Sequence, residues 1–119
     1  MARRYKSYAA ETGIVYRYFF ESRRNIVRPA GLGPGSDYIF VVTADQAPPF
    51  ALRVFVSQPA LTTWRAAHGR ELDPSEQYAL AKMRLFRAFD ELENLREESL
   101  NLLVDETNVE ELLEALGLA

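Results

Sequence analysis

Arginine and aromatic residues interleave along two stretches of this chain, "IVYRYFFESRR" (Ile14 to Arg24) and "FALRVFV" (Phe50 to Val56). Successive side chains of an extended strand point to opposite faces. Arg17 and Phe19 therefore share one face while Ile14, Tyr16, Tyr18 and Phe20 share the other, and Arg53 and Phe55 oppose Leu52, Val54 and Val56. A sheet surface that mixes guanidinium groups with flat rings suits single-stranded DNA or RNA, whose phosphates meet the arginines while its bases stack on the rings. Arg23, Arg24 and Arg28 follow immediately and would supplement that face. The competing expectation is that the arginine stems simply cover a half-exposed sheet, or that helices or a second subunit bury the rings.

The stretch "RPAGLGPGSDYIF", Arg28 to Phe40, has the look of a phosphate cradle. A dinucleotide fingerprint needs three glycines between a strand and a helix, because the helix N-terminus supplies the amides for the pyrophosphate. Here Ser36 stands at the third glycine position, the residues that follow read as a strand, and no Gly-Lys-Ser/Thr triplet occurs. The expectation is a strand connection whose glycines supply positive φ, and no cofactor.

His68 is the only histidine, and there is no cysteine, which removes disulfides, thiolate metal sites and cysteine nucleophiles from consideration. His68 has Glu71 and Asp73 nearby, as a general base would, but it also stands in the last turn of a predicted helix, where a histidine favours the dipole. We expect the second role, and no metal site. From Asp90 onward ten acidic residues face one basic residue, Arg96. Glu91 and Glu98 are seven apart and could share a helix face, yet nothing places one of them in an apolar pocket that would split their pKa values. A solvated helical face is the expectation. No catalytic constellation is legible.

These residues need a frame. The aromatic and β-branched runs at Ile14 to Arg24, Tyr38 to Thr43 and Phe50 to Val56 read as strands, and Arg4 to Ala9 adds an edge strand through the "ETG" turn. After Val56 the period becomes helical. Ser57 as N-cap, Pro59 in the first turn and Gly69 as C-cap bound a short helix over 59–68. Asp73, Pro74 and Glu76 form the sequence signature of a capping box and open a long helix running from Pro74 to about Leu95, or as far as Leu103. Its core stripe is Tyr78, Ala81, Leu85, Ala88, Phe89, Leu92 and Leu95. "TNVEELLEALG" gives a last short helix with Asn108 and Glu111 as a capping box, and Trp64 reads equally as a packing anchor between the first helix and the sheet or as an interface hot spot. The fold class is thus α+β in two layers, one domain spanning 1–119: an antiparallel meander of three or four strands, then helices on one of its faces.

Composition agrees with one core: 119 residues, 48% apolar and 26% charged, support a single globular unit. No apolar segment follows the basic residues at the N-terminus and no run of about 18 apolar residues occurs, so we expect a cytoplasmic protein without a membrane span. The net charge of −3 conceals a polarity. Residues 1–57 hold eight Lys/Arg against four Asp/Glu, and residues 58–119 hold six against thirteen. Leu80, Met83 and Phe86 fall off the core stripe at a spacing of three, and burying them calls for a second subunit or, as the competitor, the final helix through Val109, Leu112, Leu113 and Leu116. The functional expectation is a non-enzymatic association module, a homodimer formed through Leu80, Met83 and Phe86, with a further protein partner also open. A single-stranded nucleic-acid binder using Arg17, Phe19, Arg53 and Phe55 is the alternative.

Overall fold

The aromatic and β-branched runs form four strands, β1 (Lys6–Ala9), β2 (Val15–Arg28), β3 (Gly33–Ala44) and β4 (Phe50–Ser57), each antiparallel to the one before. The computed structural model describes residues 4–29, 31–44, 47–92, 95 and 102–118. Two helices follow, α1 (Gln58–His68) and α2 (Pro74–Glu91), then a short strand β5 (Leu102–Val104) and a last helix α3 (Val109–Ala115). The five strands stand in the order β1-β2-β3-β4-β5. This is the expected α+β architecture.

Two expectations need correction. The long helix stops at Glu91, where the Leu92 backbone turns extended, and Leu102–Val104, within the longest reach predicted for that helix, is a strand. Residues 93–94 and 96–101, and with them Arg96 and Glu98, lie outside the described residues. β5 runs parallel to β4, so the sheet is mixed and not a pure meander. The cause is the free edge of β4, whose backbone donors and acceptors the short apolar run "LLV" satisfies. A parallel neighbour requires a crossover, which α1 and α2 supply.

Capping fixes where those helices begin. The Ser57 hydroxyl accepts the Ala60 N–H at 3.3 Å, and Gly69, at φ +74°, ends α1 in the left-handed region. Asp73 and Glu76 exchange hydrogen bonds at the start of α2, as predicted. The box expected at Asn108 and Glu111 does not form. Asn108 instead donates to the Leu103 carbonyl at 2.9 Å and accepts the Asp105 N–H at 3.0 Å, bracing the turn between β5 and α3.

The core lies between one sheet face and the helices. Tyr16, Tyr18, Phe40, Val42, Leu52, Val54 and Val56 point inward and are buried, as are Ala81, Leu85, Ala88 and Phe89 from the predicted stripe. Phe89 stacks on Tyr16 with ring centroids 4.3 Å apart, and Tyr78 meets Phe20 and Phe40. Trp64 is buried against His68, as a packing anchor requires. The Tyr8 hydroxyl donates to Asp90 at 2.7 Å, tying β1 to α2; that bond, with burial second, raises the Tyr8 pKa to about 12.

The proposed contact surface at Leu80, Met83 and Phe86 is not one patch. Positions three apart on a helix drift by roughly 60° per step, so Leu80 and Phe86 end roughly 120° apart. Leu80 is fully buried within the chain. It lies on the flank of α2 that faces β5 and α3, where Arg84 donates to the Leu103 carbonyl and Arg87 pairs with Glu111. Phe86 lies on the other flank and stacks on Tyr8 at 4.4 Å, and Met83 is half-buried against the same core. No helix among the described residues is long and apolar enough to cross a membrane.

Candidate nucleic-acid interface

With the helices on one side of the sheet, the opposite face is formed by the side chains of the other parity. On β2 these are Val15, Arg17 and Phe19, opposite Thr43 and Val41 of β3. On β4 they are Ala51, Arg53 and Phe55, opposite Val41, Ile39 and Asp37. The structure therefore places Arg17, Phe19, Arg53 and Phe55 on one face, as the alternation predicts. Arg17 and Arg53 lie on either side of β3, roughly 10 Å apart across the strands and roughly 13 Å along them.

A bulge sorts the next three arginines. The register shifts between Phe20 and Ser22, so that Phe20 opposes Phe40 and Ser22 opposes Ile39, with Glu21 left over. Beyond it the parity of β2 is inverted. Arg24, opposite Asp37, and Arg28 join Arg17 on the open face, while Arg23, opposite Tyr38, turns to the helix side. Grouping Arg23 with the candidate face is thus corrected, and the extra residue in the strand is the reason.

The far end of the face is built around a residue the sequence reading passed over. Asp37 has no exposed surface, although it stands on the side without helices. Arg28 donates to its Oδ1 at 2.8 Å, Arg24 stands 4.0 Å from its Oδ2, and the Arg28 guanidinium lies 5.0 Å from the centre of the Phe55 ring. Phe55 is fully buried beneath this lid. Gly35 makes the arrangement possible: a Cβ there would lie 2.4 Å from the Val56 carbonyl oxygen and 2.6 Å from the Phe55 ring. Phe55 cannot then offer its ring to a base, which corrects its predicted stacking role. No local signal marked it, because Asp37 stands one residue before the predicted strand and faces Arg24 only through the bulge.

At the near end a second aromatic platform appears. Tyr5 and Phe19 meet edge to face at 5.0 Å, and the Arg17 guanidinium lies 5.3 Å from the Tyr5 ring centre. Phe19 and Tyr5 are half-buried and Arg17 is exposed. Between the two ends run Ile39 and Val41, half-buried. Asp37, the carboxylate at the far end of this face, is covered. The surface is basic with an apolar, partly aromatic centre.

The other candidates resolve into structure. The glycine-rich stretch joins β2 to β3, with Gly31 and Gly33 at φ +82° and +71°, and a strand follows where a phosphate cradle would need a helix. His68 Nε2 lies 2.9 Å from the Glu110 carboxylate and its ring stacks on Trp64 at 4.5 Å, linking α1 to α3. Among the described residues no three histidine, aspartate or glutamate side chains gather as metal ligands. Among the described residues the arrangement defines a two-layer α+β domain with one helix-covered sheet face and one arginine-bearing face that no described helix covers. Comparison with family models, with curated proteins and with solved structures finds no match for this chain.

Proposed function

We propose that this protein is a non-enzymatic, cytoplasmic binding module that holds single-stranded nucleic acid on its bare sheet face. Arg17, Arg24 and Arg53 meet phosphates, and Phe19 with Tyr5 provides the stacking platform. The observation that carries this reading is a sheet face bearing four arginines on which the buried carboxylate at the far end, Asp37, is already paired with Arg28. A polyanion complements that surface. A second reading, self-association through the same face, draws support from the half-buried Ile39 and Val41 and replaces the contact expected at Leu80, Met83 and Phe86. Stacking two copies face to face would bring arginines against arginines around a small apolar strip, which favours the nucleic acid.

Fluorescence anisotropy with short single-stranded oligonucleotides at two salt concentrations tests both. Arg17→Gln with Arg53→Gln should lower affinity and reduce the salt slope by about 1.4, about 0.7 for each lost phosphate contact. Phe19→Ala should weaken binding by about 1–3 kcal/mol. Absence of binding at tens of micromolar protein in low salt refutes the first reading. A dimer in sedimentation equilibrium that Val41→Glu dissociates would establish the second.

A further inference from the structure

On the helix-bearing side, where β1 ends, the sheet and the first turn of α2 leave a cavity of about 500 Å³ between them. The pairing of β1 with β2 ends at Tyr18, opposite Lys6. Phe20, Tyr38 and Tyr78 converge there. Phe20 meets Tyr78 edge to face at 5.1 Å, and Tyr38 stands 6.3 Å from Phe20 and 6.5 Å from Tyr78. Ser75 and Gln77 of α2 complete the wall.

The bulge that sorts the arginines turns Arg23 to the rim of this cavity. Its guanidinium lies 5.6 Å from the Tyr38 ring centre and donates to Ser36 Oγ at 2.9 Å, while Ser36 in turn donates to Asn25 at 3.1 Å. Both partners are neutral. Among the described residues no carboxylate pairs with Arg23, and none lines the cavity. Lys82, one turn along α2, holds its ammonium 5.7 Å from the Tyr78 ring. Burial, and then the neighbouring Lys6, push its pKa down, and a nearby anion would oppose that shift.

The geometry points to a binding site for a small planar ring carrying one anionic group, the ring among Phe20, Tyr38 and Tyr78 and the anion on Arg23. The walls are aromatic, which selects a ring by edge-to-face packing. The volume falls in the range that encloses a small molecule. The one charged residue among the described lining residues is Arg23, held by the neutral Ser36, which disfavours a cation and favours an acid. This site is separate from the bare face, and its occupancy does not depend on nucleic-acid binding there.

Calorimetry and amide chemical shifts with indole-3-acetate and AMP, each against its neutral counterpart indole-3-acetamide or adenosine, test the assignment. For ligands of this size a Kd of about 0.1–1 mM is expected. The acid should bind roughly tenfold more tightly than its neutral counterpart. Arg23→Gln, at an exposed side chain, should abolish that difference, Arg23→Lys should retain part of it, and Arg17→Gln with Arg53→Gln should leave it intact. Preference for AMP assigns a phosphate and preference for indole-3-acetate a carboxylate. Equal binding of acid and neutral forms, acid binding untouched by Arg23→Gln, or no shift of Phe20, Tyr38 and Tyr78 amides at millimolar ligand would overturn the proposal.

Discussion

Asp37→Asn separates the structural role of the arginines from their role at the surface. Asp37 has no exposed side-chain area and Arg28 only 18%, and the two are joined by a 2.8 Å hydrogen bond. Removing one member of a fully buried ion pair costs about 3–5 kcal/mol, and a hydrogen bond to a charged group contributes about 1.5–3 kcal/mol. Arg28 retains some contact with water, and Arg24, 52% exposed and 4.0 Å away, adds under about 1 kcal/mol. Asparagine keeps the shape and one acceptor. The expected loss is therefore about 2–3 kcal/mol, and at about 4 °C for each kcal/mol in a chain of this length Tm should fall by about 8–12 °C.

The same change removes the buried negative charge at the far end of the bare face. Affinity for a single-stranded oligonucleotide should rise and the salt slope steepen by up to about 0.7 as one arginine is freed for phosphate. Urea denaturation measures the first effect and anisotropy the second. A stability loss below about 0.5 kcal/mol would show that Asp37 does not compensate Arg28. Unchanged or weaker binding by the folded variant would remove Arg24 and Arg28 from the interface.

Gly35→Ala should destabilise by about 1–3 kcal/mol, because the new Cβ meets the Val56 carbonyl oxygen and the Phe55 ring; a urea midpoint equal to wild type would contradict that packing. Glu76 is held down to about pKa 2, first by its hydrogen bond from Arg70 and then by the Asp73 backbone N–H. Its folded value is depressed, so its contribution is present above the ordinary carboxylate range and is lost as pH falls from about 4.5 towards about 2. In that window Glu76→Gln should flatten the decline of the unfolding midpoint, and a decline as steep as in wild type would assign the acid sensitivity to other carboxylates.

What the sequence disclosed follows from how local each signal is. Caps are written in four or five consecutive residues, and Ser57, Gly69, Asp73 and Glu76 all act as read. Strand parity is equally local, which is why Arg17, Phe19, Arg53 and Phe55 share a face. The bulge at Glu21 is not local: whether β2 carries an extra residue depends on the register that β3 imposes. β5 was hidden for a related reason, since three residues carry little propensity and become a strand only beside the free edge of β4. Leu80 and Phe86 look like one patch in sequence but face different neighbours, because the covering elements β5, α3 and β1 are distant along the chain.

The net charge of −3 argues against a polyanion ligand only if the charges are taken together. In the fold three acids of the helical half pair with arginines of the same half, Glu71 with Arg65, Glu76 with Arg70 and Glu111 with Arg87. What remains after that pairing is a sheet face whose Arg17 and Arg53 have no carboxylate partner among the described residues. Screening over about 8–10 Å limits how far the unpaired acids of α3 reach. The two consequences of topology then reinforce one another. The crossover from β4 to β5 draws the helices, with their acids, to one side, and strand parity leaves the arginines on the other. Within the screening length, a polyanion lying on this face feels its arginines more strongly than the net charge of the chain.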